Sequence, residues 1–175
     1  MIVYIAMSLD GYIADKTDGL DFLKAVEKEG EDYGYGEYVD SVDTVIMGRK
    51  TYDKVLSFGI NFPHETRSTY VITRQNRPPH KNITFYSGSL SELIRRIRNH
   101  PGKHIFADGG AEVVNELIQN QLVDTLIVSV IPVLLGDGIP LFKPKDLTQS
   151  LKLQSVQSFP SGLVQLEYQF LNNHT

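Results

Sequence analysis

Hydrophobic and polar positions along the chain follow two periods, one of strands and one of helices. Ile2–Met7 is an unbroken apolar run that predicts a strand buried on both faces. Beyond a loop at Asp10-Gly11, residues Leu20–Asp40 read as helical or partly helical, poorly defined across Gly30, Gly34 and Gly36. Thr44–Met47, Thr69–Thr73, Ile83–Tyr86 and His104–Ala107 predict four more strands, and Thr51–Ser57 a helix. Ser89-Leu90-Ser91-Glu92 has capping-box spacing ahead of Leu93, Ile94 and Ile97, which share one helical face. His100-Pro101-Gly102 stops that helix. Val113, Val114, Leu117 and Ile118 form the stripe of another helix, and Thr125–Val133 reads as a long buried strand. Leu151–Gln157 and Leu163–Phe170 predict a hairpin around Pro160-Ser161-Gly162. Its second arm sets Val164, Leu166, Tyr168 and Phe170 against Gln165, Glu167 and Gln169.

Strand–helix–strand order through most of the chain implies parallel pairing, with helices on both faces of the sheet. The predicted class is therefore α/β: a mixed, mostly parallel β-sheet flanked by helices, with an antiparallel hairpin at the C-terminus. In such open sheets ligands bind beyond the carboxyl ends of the strands.

Composition narrows this picture by exclusion. At 175 residues the chain predicts one domain, at most a lopsided pair, and 41% hydrophobic with 22% charged residues excludes disordered and fibrous classes. It has no cysteine, which removes disulfide scaffolds, thiolate metal sites and a cysteine nucleophile together. The apolar stretch Leu126–Leu135 is interrupted by Ser129 and Pro132 and falls short of the roughly 20 residues of a membrane span. The N-terminal residues carry no signal-peptide pattern, so a soluble, cytoplasmic protein is expected. His64, His80, His100, His104 and His174 show no metal-ligand spacing, and no metal is expected.

Charge is uneven. Net charge is −4, yet residues 61–104 carry 8 basic and 2 acidic side chains while residues 1–60 carry 6 and 12. A basic middle in an acidic chain suits a small anionic ligand rather than nucleic acid. Arg95, Arg96 and Arg98 read as a solvated helix face within it.

The chemistry concentrates at two strand-to-helix junctions with glycine at the turn: Val45-Ile46-Met47-Gly48-Arg49-Lys50-Thr51 and Ile105-Phe106-Ala107-Asp108-Gly109-Gly110-Ala111. A helix start exposes N–H groups and the positive end of a dipole, and a preceding glycine lets a phosphate approach the backbone. Glycine at one such corner is also what an ordinary turn needs. Two corners, with Arg49, Lys50 and Arg74 just past strand ends, point to the two phosphate contacts of a dinucleotide. The G-x-G-x-x-G and Walker A spacings are absent.

Five segments occur in order: Ser8-Leu9-Asp10-Gly11-Tyr12-Ile13-Ala14, Met47-Gly48-Arg49-Lys50-Thr51-Tyr52, Val71-Ile72-Thr73-Arg74, Asp108-Gly109-Gly110 and Pro132-Val133-Leu134-Leu135-Gly136-Asp137-Gly138. Together they resemble the dihydrofolate reductase-like superfamily. Within it the chain is most similar to the C-terminal reductase domain of bifunctional riboflavin-biosynthesis deaminase-reductases and their small stand-alone relatives. The resemblance covers about residues 1–170.

It implies a reductase that uses NADPH on a small heterocycle, either pterin-like or a pyrimidine carrying a phosphorylated sugar. By resemblance Ala6, Ile13 and Ala14 lie against the nicotinamide. Gly48, Arg49 and Thr51 take the phosphates and adenosine end, and Thr73 and Arg74 the 2′-phosphate side, with Ser87 nearby. Gly109, Gly110, Ala111 and Glu112 cradle the pyrophosphate. A carboxylate of the first helix acts as proton donor in dihydrofolate reductases, and counting back from Met47-Gly48-Arg49 places Asp32 near that position, with Asp10 the other candidate. Asp10 is also suited to cap the turn at Gly11. Two glycines inside a helix cost about 1 kcal/mol each relative to alanine, so the segment Glu31–Glu37 is either shaped around a ligand, with Tyr33 and Tyr35 as stacking walls, or an acidic loop. Arg67 matches an arginine that holds the folate carboxylate and could take an anionic substrate group, or stand as a surface residue. A homodimer is expected from the apolar strand Thr125–Val133, the C-terminal hairpin and the family. The competing expectation is an NADPH-binding sensor or assembly partner that does not turn over.

Overall fold

In the computed structural model, residues 1–75, 77–144 and 148–171 are described, so His174 lies outside them. In chain order the elements are β1 (Ile2–Ser8), β2 (Tyr12–Asp15), a 3-10 turn (Asp21–Val26), α1 (Tyr35–Asp40), β3 (Val42–Gly48), α2 (Arg49–Ser57), β4 (Ser68–Ile72) and β5 (Ile83–Tyr86). They continue as α3 (Leu90–Arg98), β6 (His104–Gly109), α4 (Ala111–Gln119), β7 (Thr125–Ile131), β8 (Gly138–Pro140), β9 (Leu151–Ser158) and β10 (Val164–Phe170). The architecture is the predicted mixed, mostly parallel sheet with flanking helices and an antiparallel C-terminal hairpin.

The chain divides into two compact units. The first comprises Met1 and Gly34–Leu122. Its strands run β5-β4-β3-β6, every pair parallel. Val45, Ile46, Met47, Val71, Leu93, Ile94, Phe106, Ala107, Val114 and Leu117 are all sealed from solvent in it. Full burial of each large aliphatic contributes about 1.5–3 kcal/mol before entropy is counted. Strands apolar on both faces are what a parallel sheet covered by helices requires.

The second unit comprises Ile2–Tyr33 and the chain from Val123 onward. Here β1 pairs parallel with β7, β7 antiparallel with β10, and β10 antiparallel with β9. Phe22, Val26, Ile131 and Leu163 form its buried cluster, with Ala6, Leu20, Tyr33, Val133 and Phe159 packed against it.

Leu20–Asp40 is partly helical and interrupted at its glycines, as expected: a 3-10 turn, then a loop, then a six-residue α1, with Gly30, Tyr33 and Gly34 at positive φ, 77°, 57° and 79°. Other expectations need correction. Strand β1 is mostly half-buried, with only Val3 and Ser8 fully enclosed. Strand β7 stops at Ile131, since Pro132 has no N–H to continue the ladder. The β2–β8 ladder escaped the pattern because its strands have four and three residues, too few to show a period. Ser89 does cap α3, its hydroxyl accepting from the Glu92 amide at 3.4 Å.

Candidate functional site

In the first unit the sheet register aligns the predicted phosphate contacts. Met47 pairs with Gly109, Gly48 with Ile72, and Ile72 with Tyr86. The carboxyl ends of four neighbouring strands therefore carry Gly109-Gly110, Gly48-Arg49, Thr73-Arg74 and Ser87 in one row. Three interstrand steps of about 4.8 Å make that row roughly 14 Å long.

The two helix starts touch. A Cβ placed on Gly48 would stand 3.4 Å from Val113 Cγ2, 3.6 Å from the Gly110 nitrogen and 3.9 Å from the Gly109 oxygen. One placed on Gly110 would meet Thr51 Oγ1 at 3.1 Å. Gly109 has φ 108°, open to glycine and strained for any other residue, and the Gly109-Gly110 peptide is cis. Gly48 at the head of α2 and Gly110 at the head of α4 have no side chain with which to cap, whereas α3 has Ser89. Glycine at a helix start leaves room for an oxyanion to approach the first-turn amides.

The surrounding cations are arranged unequally. Arg49 is paired with Asp53 one turn on, and Arg77 approaches the same carboxylate at 3.9 Å. Lys50 and Arg74 are exposed. The Thr73 hydroxyl accepts from the Gln75 amide at 3.1 Å and its own amide donates to Tyr86 O, so the side chain holds its loop. Ser87 is exposed beside it. Ala111 is buried, and Glu112 is an exposed acid in the first turn of α4, where the helix dipole favours negative charge.

Tyr35 projects from α1 with its ring 6.4 Å from both Tyr38 and Phe106. Arg67 is committed elsewhere than expected: its Nε and Nη2 donate to Val39 O at 3.2 and 2.9 Å, closing the end of α1, with Asp40 at 3.8 Å.

In the second unit, Ala6 packs against the Phe22 cluster, Ile13 is half-buried and Ala14 is buried. Asp10 is a structural carboxylate. It accepts from Ser8 Oγ at 2.6 Å, Gly136 N at 2.7 Å and Leu135 N at 3.1 Å, clamping the turn after β7. The Ser8 bond, helped by the two amides, holds its pKa below the usual 3.8 and leaves it ionised at neutral pH. That corrects its reading as a proton donor.

Asp32 is exposed in the loop before α1 and not buried within a helix. Its neighbour Tyr33 is fixed firmly. The Tyr33 hydroxyl bonds Val26 O and, at 2.9 Å, Ser161 Oγ, and its ring meets Phe159 edge-on at 4.8 Å. The Tyr33 ring thus serves the protein's own packing where a stacking wall for a ligand was expected. The Tyr33 carbonyl accepts from Tyr4 Oη at 3.0 Å and Gln165 Nε2 at 3.3 Å, while Gln165 also donates to Tyr4 Oη and Ser129 Oγ. Burial, more than the nearby Asp32 charge, raises the Tyr4 pKa.

The residues missed from sequence are those polar ties: Gln165, Tyr4, and the His64–Asp108 contact at 3.2 Å. Each joins residues distant in the chain, and no local pattern signals it. Among the described residues no helix is long and apolar enough to cross a membrane, and no group of three or more His, Cys, Asp or Glu side chains could hold a metal ion.

Residues 1–165 match the family model of the RibD C-terminal domain. The uncharacterized protein YwjB of Bacillus subtilis (strain 168) is 38% identical over 168 residues, spanning 95% of each chain. A crystal structure from Shewanella sp. PV-4, of a protein described under riboflavin biosynthesis, superposes with a TM-score of 0.88 at 30% identity over 97% of both chains. The dihydrofolate reductase of Enterococcus faecalis, solved with NADP(H) and RAB-propyl, shares the fold at a TM-score of 0.68 and 17% identity, over 98% of this chain and 97% of that one.

Proposed function

The chain belongs to the RibD C-terminal domain family, and from that membership we propose that it is an NADPH-dependent reductase of a small heterocycle. The observation that carries the reading is the pair of adjoining helix starts, both glycine-fronted, at the carboxyl ends of β3 and β6. A reduced nicotinamide supplies a hydride when bound. The chain's part is to hold the carrier and deliver a proton. Backbone donors from Gly48 to Thr51 and from Gly109 to Glu112 take the diphosphate. Lys50 and Arg74 neutralise phosphate charge, with Arg49 held in reserve by Asp53. Thr73, Arg74 and Ser87, at the far end of the row, take the 2′-phosphate that separates NADPH from NADH. Roles for Ala6, Ile13 and Ala14 toward the nicotinamide rest on the resemblance.

Asp32 is the proposed proton donor, positioned through the anchored backbone of Tyr33. Tyr35, exposed on α1, is proposed to face a ring-shaped substrate. The substrate class is a pterin, or an aminopyrimidine bearing a ribose or ribitol phosphate as in riboflavin biosynthesis. The test is NADPH consumption against a panel of both. One class is reduced by the wild type, and Asp32→Asn lowers kcat by roughly 100-fold or more with NADPH affinity unchanged. A chain that binds no NADPH overturns the reading.

One observation favours a second reading, a non-catalytic NADPH sensor: Asp32 is exposed in a loop. Tight NADPH binding with no consumption across the panel would select it.

The expected homodimer finds support in the hairpin. Leu151, Leu153 and Val156 of β9 are 37%, 48% and 57% exposed, on the face that β10 continues with Leu166 and Tyr168. An apolar face on an edge strand is a natural seat for a second copy. Sedimentation of a monomer at micromolar concentration would refute it.

A further inference from the structure

We propose that His64, in the connection between α2 and β4, is a positioning residue that fixes the Gly109-Gly110 turn by holding Asp108. The inference rests on the reductase reading, because the turn matters only if it receives a phosphate.

Two consecutive glycines have no side chains with which to hold their own conformation, and Gly109 sits at φ 108°. The nearest side chain upstream is Asp108, which is 22% exposed and meets His64 Nε2 through Oδ2 at 3.2 Å. His64 is suited to be the fixed end of this tie. Its side chain is 1% exposed. Phe62 meets the imidazole at 5.5 Å and Phe106 at 5.9 Å, both nearly perpendicular to it. Its carbonyl accepts from Asn82 Nδ2 at 2.8 Å and Arg67 N at 3.0 Å, so backbone and ring are both pinned. Phe106 lies two residues before Asp108 on β6, which places the imidazole and the turn on one rigid strand end.

A carboxylate only accepts, so Nε2 donates in this pair. Nδ1 is buried with no hydrogen-bond partner among the described residues. An unsatisfied buried nitrogen is destabilising, and leucine would fill an aromatic-walled site without that penalty. The imidazole is accounted for by the one bond it does make. Tied to His64, Asp108 cannot swing, and the amides that follow it stay beside Gly48.

Four variants test this: His64→Leu, His64→Gln, Asp108→Ala and Asp108→Asn. NADPH dissociation constants, melting temperatures and the amide resonances of Gly109 and Gly110 are read for each. Gln places a donor near Nε2, and Asn keeps an acceptor at Oδ. His64→Leu and Asp108→Ala should weaken NADPH binding roughly tenfold, the loss of about one charge-assisted hydrogen bond, and move both glycine resonances. His64→Gln and Asp108→Asn should remain within roughly threefold of wild type, well inside that loss. Should His64→Leu fail to fold, Asp108→Ala, whose side chain is partly exposed, carries the test. If the wild type binds NADPH and the two disrupting variants bind it equally well, with only the melting temperature lowered, His64 is a packing residue and the inference fails alone. A wild type that takes up no NADPH removes this inference together with the reductase reading.

Discussion

Gly48→Ala separates the cofactor reading from mere folding more cleanly than any other single change. Gly48 has φ −73° and ψ 152°, which any residue adopts. Its new methyl would touch Val113 at 3.4 Å and Gly110 N at 3.6 Å, ordinary contacts that require no rearrangement. Two effects on stability oppose each other. Restricting the unfolded chain gains about 0.4–1 kcal/mol, and alanine caps a helix less well than glycine by a similar amount. The net change should stay within about 1 kcal/mol, or roughly 4 °C in melting temperature for a chain of this size. Binding should respond differently. The methyl occupies the approach to the Gly110 amide, where a phosphate oxygen would sit at about 2.9 Å. Losing one hydrogen bond to a charged group costs about 1.5–3 kcal/mol, so NADPH affinity should fall roughly 10- to 150-fold. A fluorescence titration with NADPH, beside a thermal melt, reads both quantities. Wild-type affinity in a normally folded Gly48→Ala protein would refute the claim that phosphate is gripped between the two helix starts. Gly109→Ala is a poorer probe, because φ 108° strains alanine by about 1–3 kcal/mol whatever binds there.

Three further outcomes are expected. Arg74→Ala should raise the NADPH dissociation constant roughly tenfold while leaving that for NADH unchanged, and equal losses for both cofactors would remove Arg74 from the 2′-phosphate site. The Asp10 carboxylate has a depressed pKa in the fold, so its stabilisation is present above the ordinary 3.8 and is lost as pH falls through the lower, folded value. Thermal melts should accordingly separate wild type from Asp10→Asn at neutral pH and converge in acid, and a gap that persists below that range would contradict the clamp. Leu153→Glu should convert the expected dimer to a folded monomer in sedimentation, with an unchanged profile excluding that face.

The parallel half of the fold was legible because its strands are buried on both faces, which leaves continuous apolar runs such as Thr44–Met47. The glycine junctions were legible for the same physical reason: a close backbone approach restricts the residue type. Their adjacency cannot be read locally. It follows from Met47 pairing with Gly109, residues 62 positions apart. The region from Leu20 to Asp40 was legible only as partly helical, since apolar spacing suggests a helix while positive φ at Gly30, Tyr33 and Gly34 breaks it. Asp10 and Tyr33 were candidates by residue type and Arg67 by resemblance, but each is held by tertiary partners, Asp10 by Gly136, Arg67 by Val39 and Tyr33 by Ser161. Side chains with several possible partners are decided by tertiary structure, which spacing does not encode.

The tie from Gln165 and Ser161 back to Tyr33 spans 132 and 128 positions. On the ribosome, all the residues of the half proposed to grip phosphate, ending at Leu122, emerge while that tie still lacks its distal end. The loop carrying Asp32 is therefore fully secured only as the last strand is released, and nascent chains stalled before Ser161 should keep the proposed phosphate contacts while lacking reductive turnover.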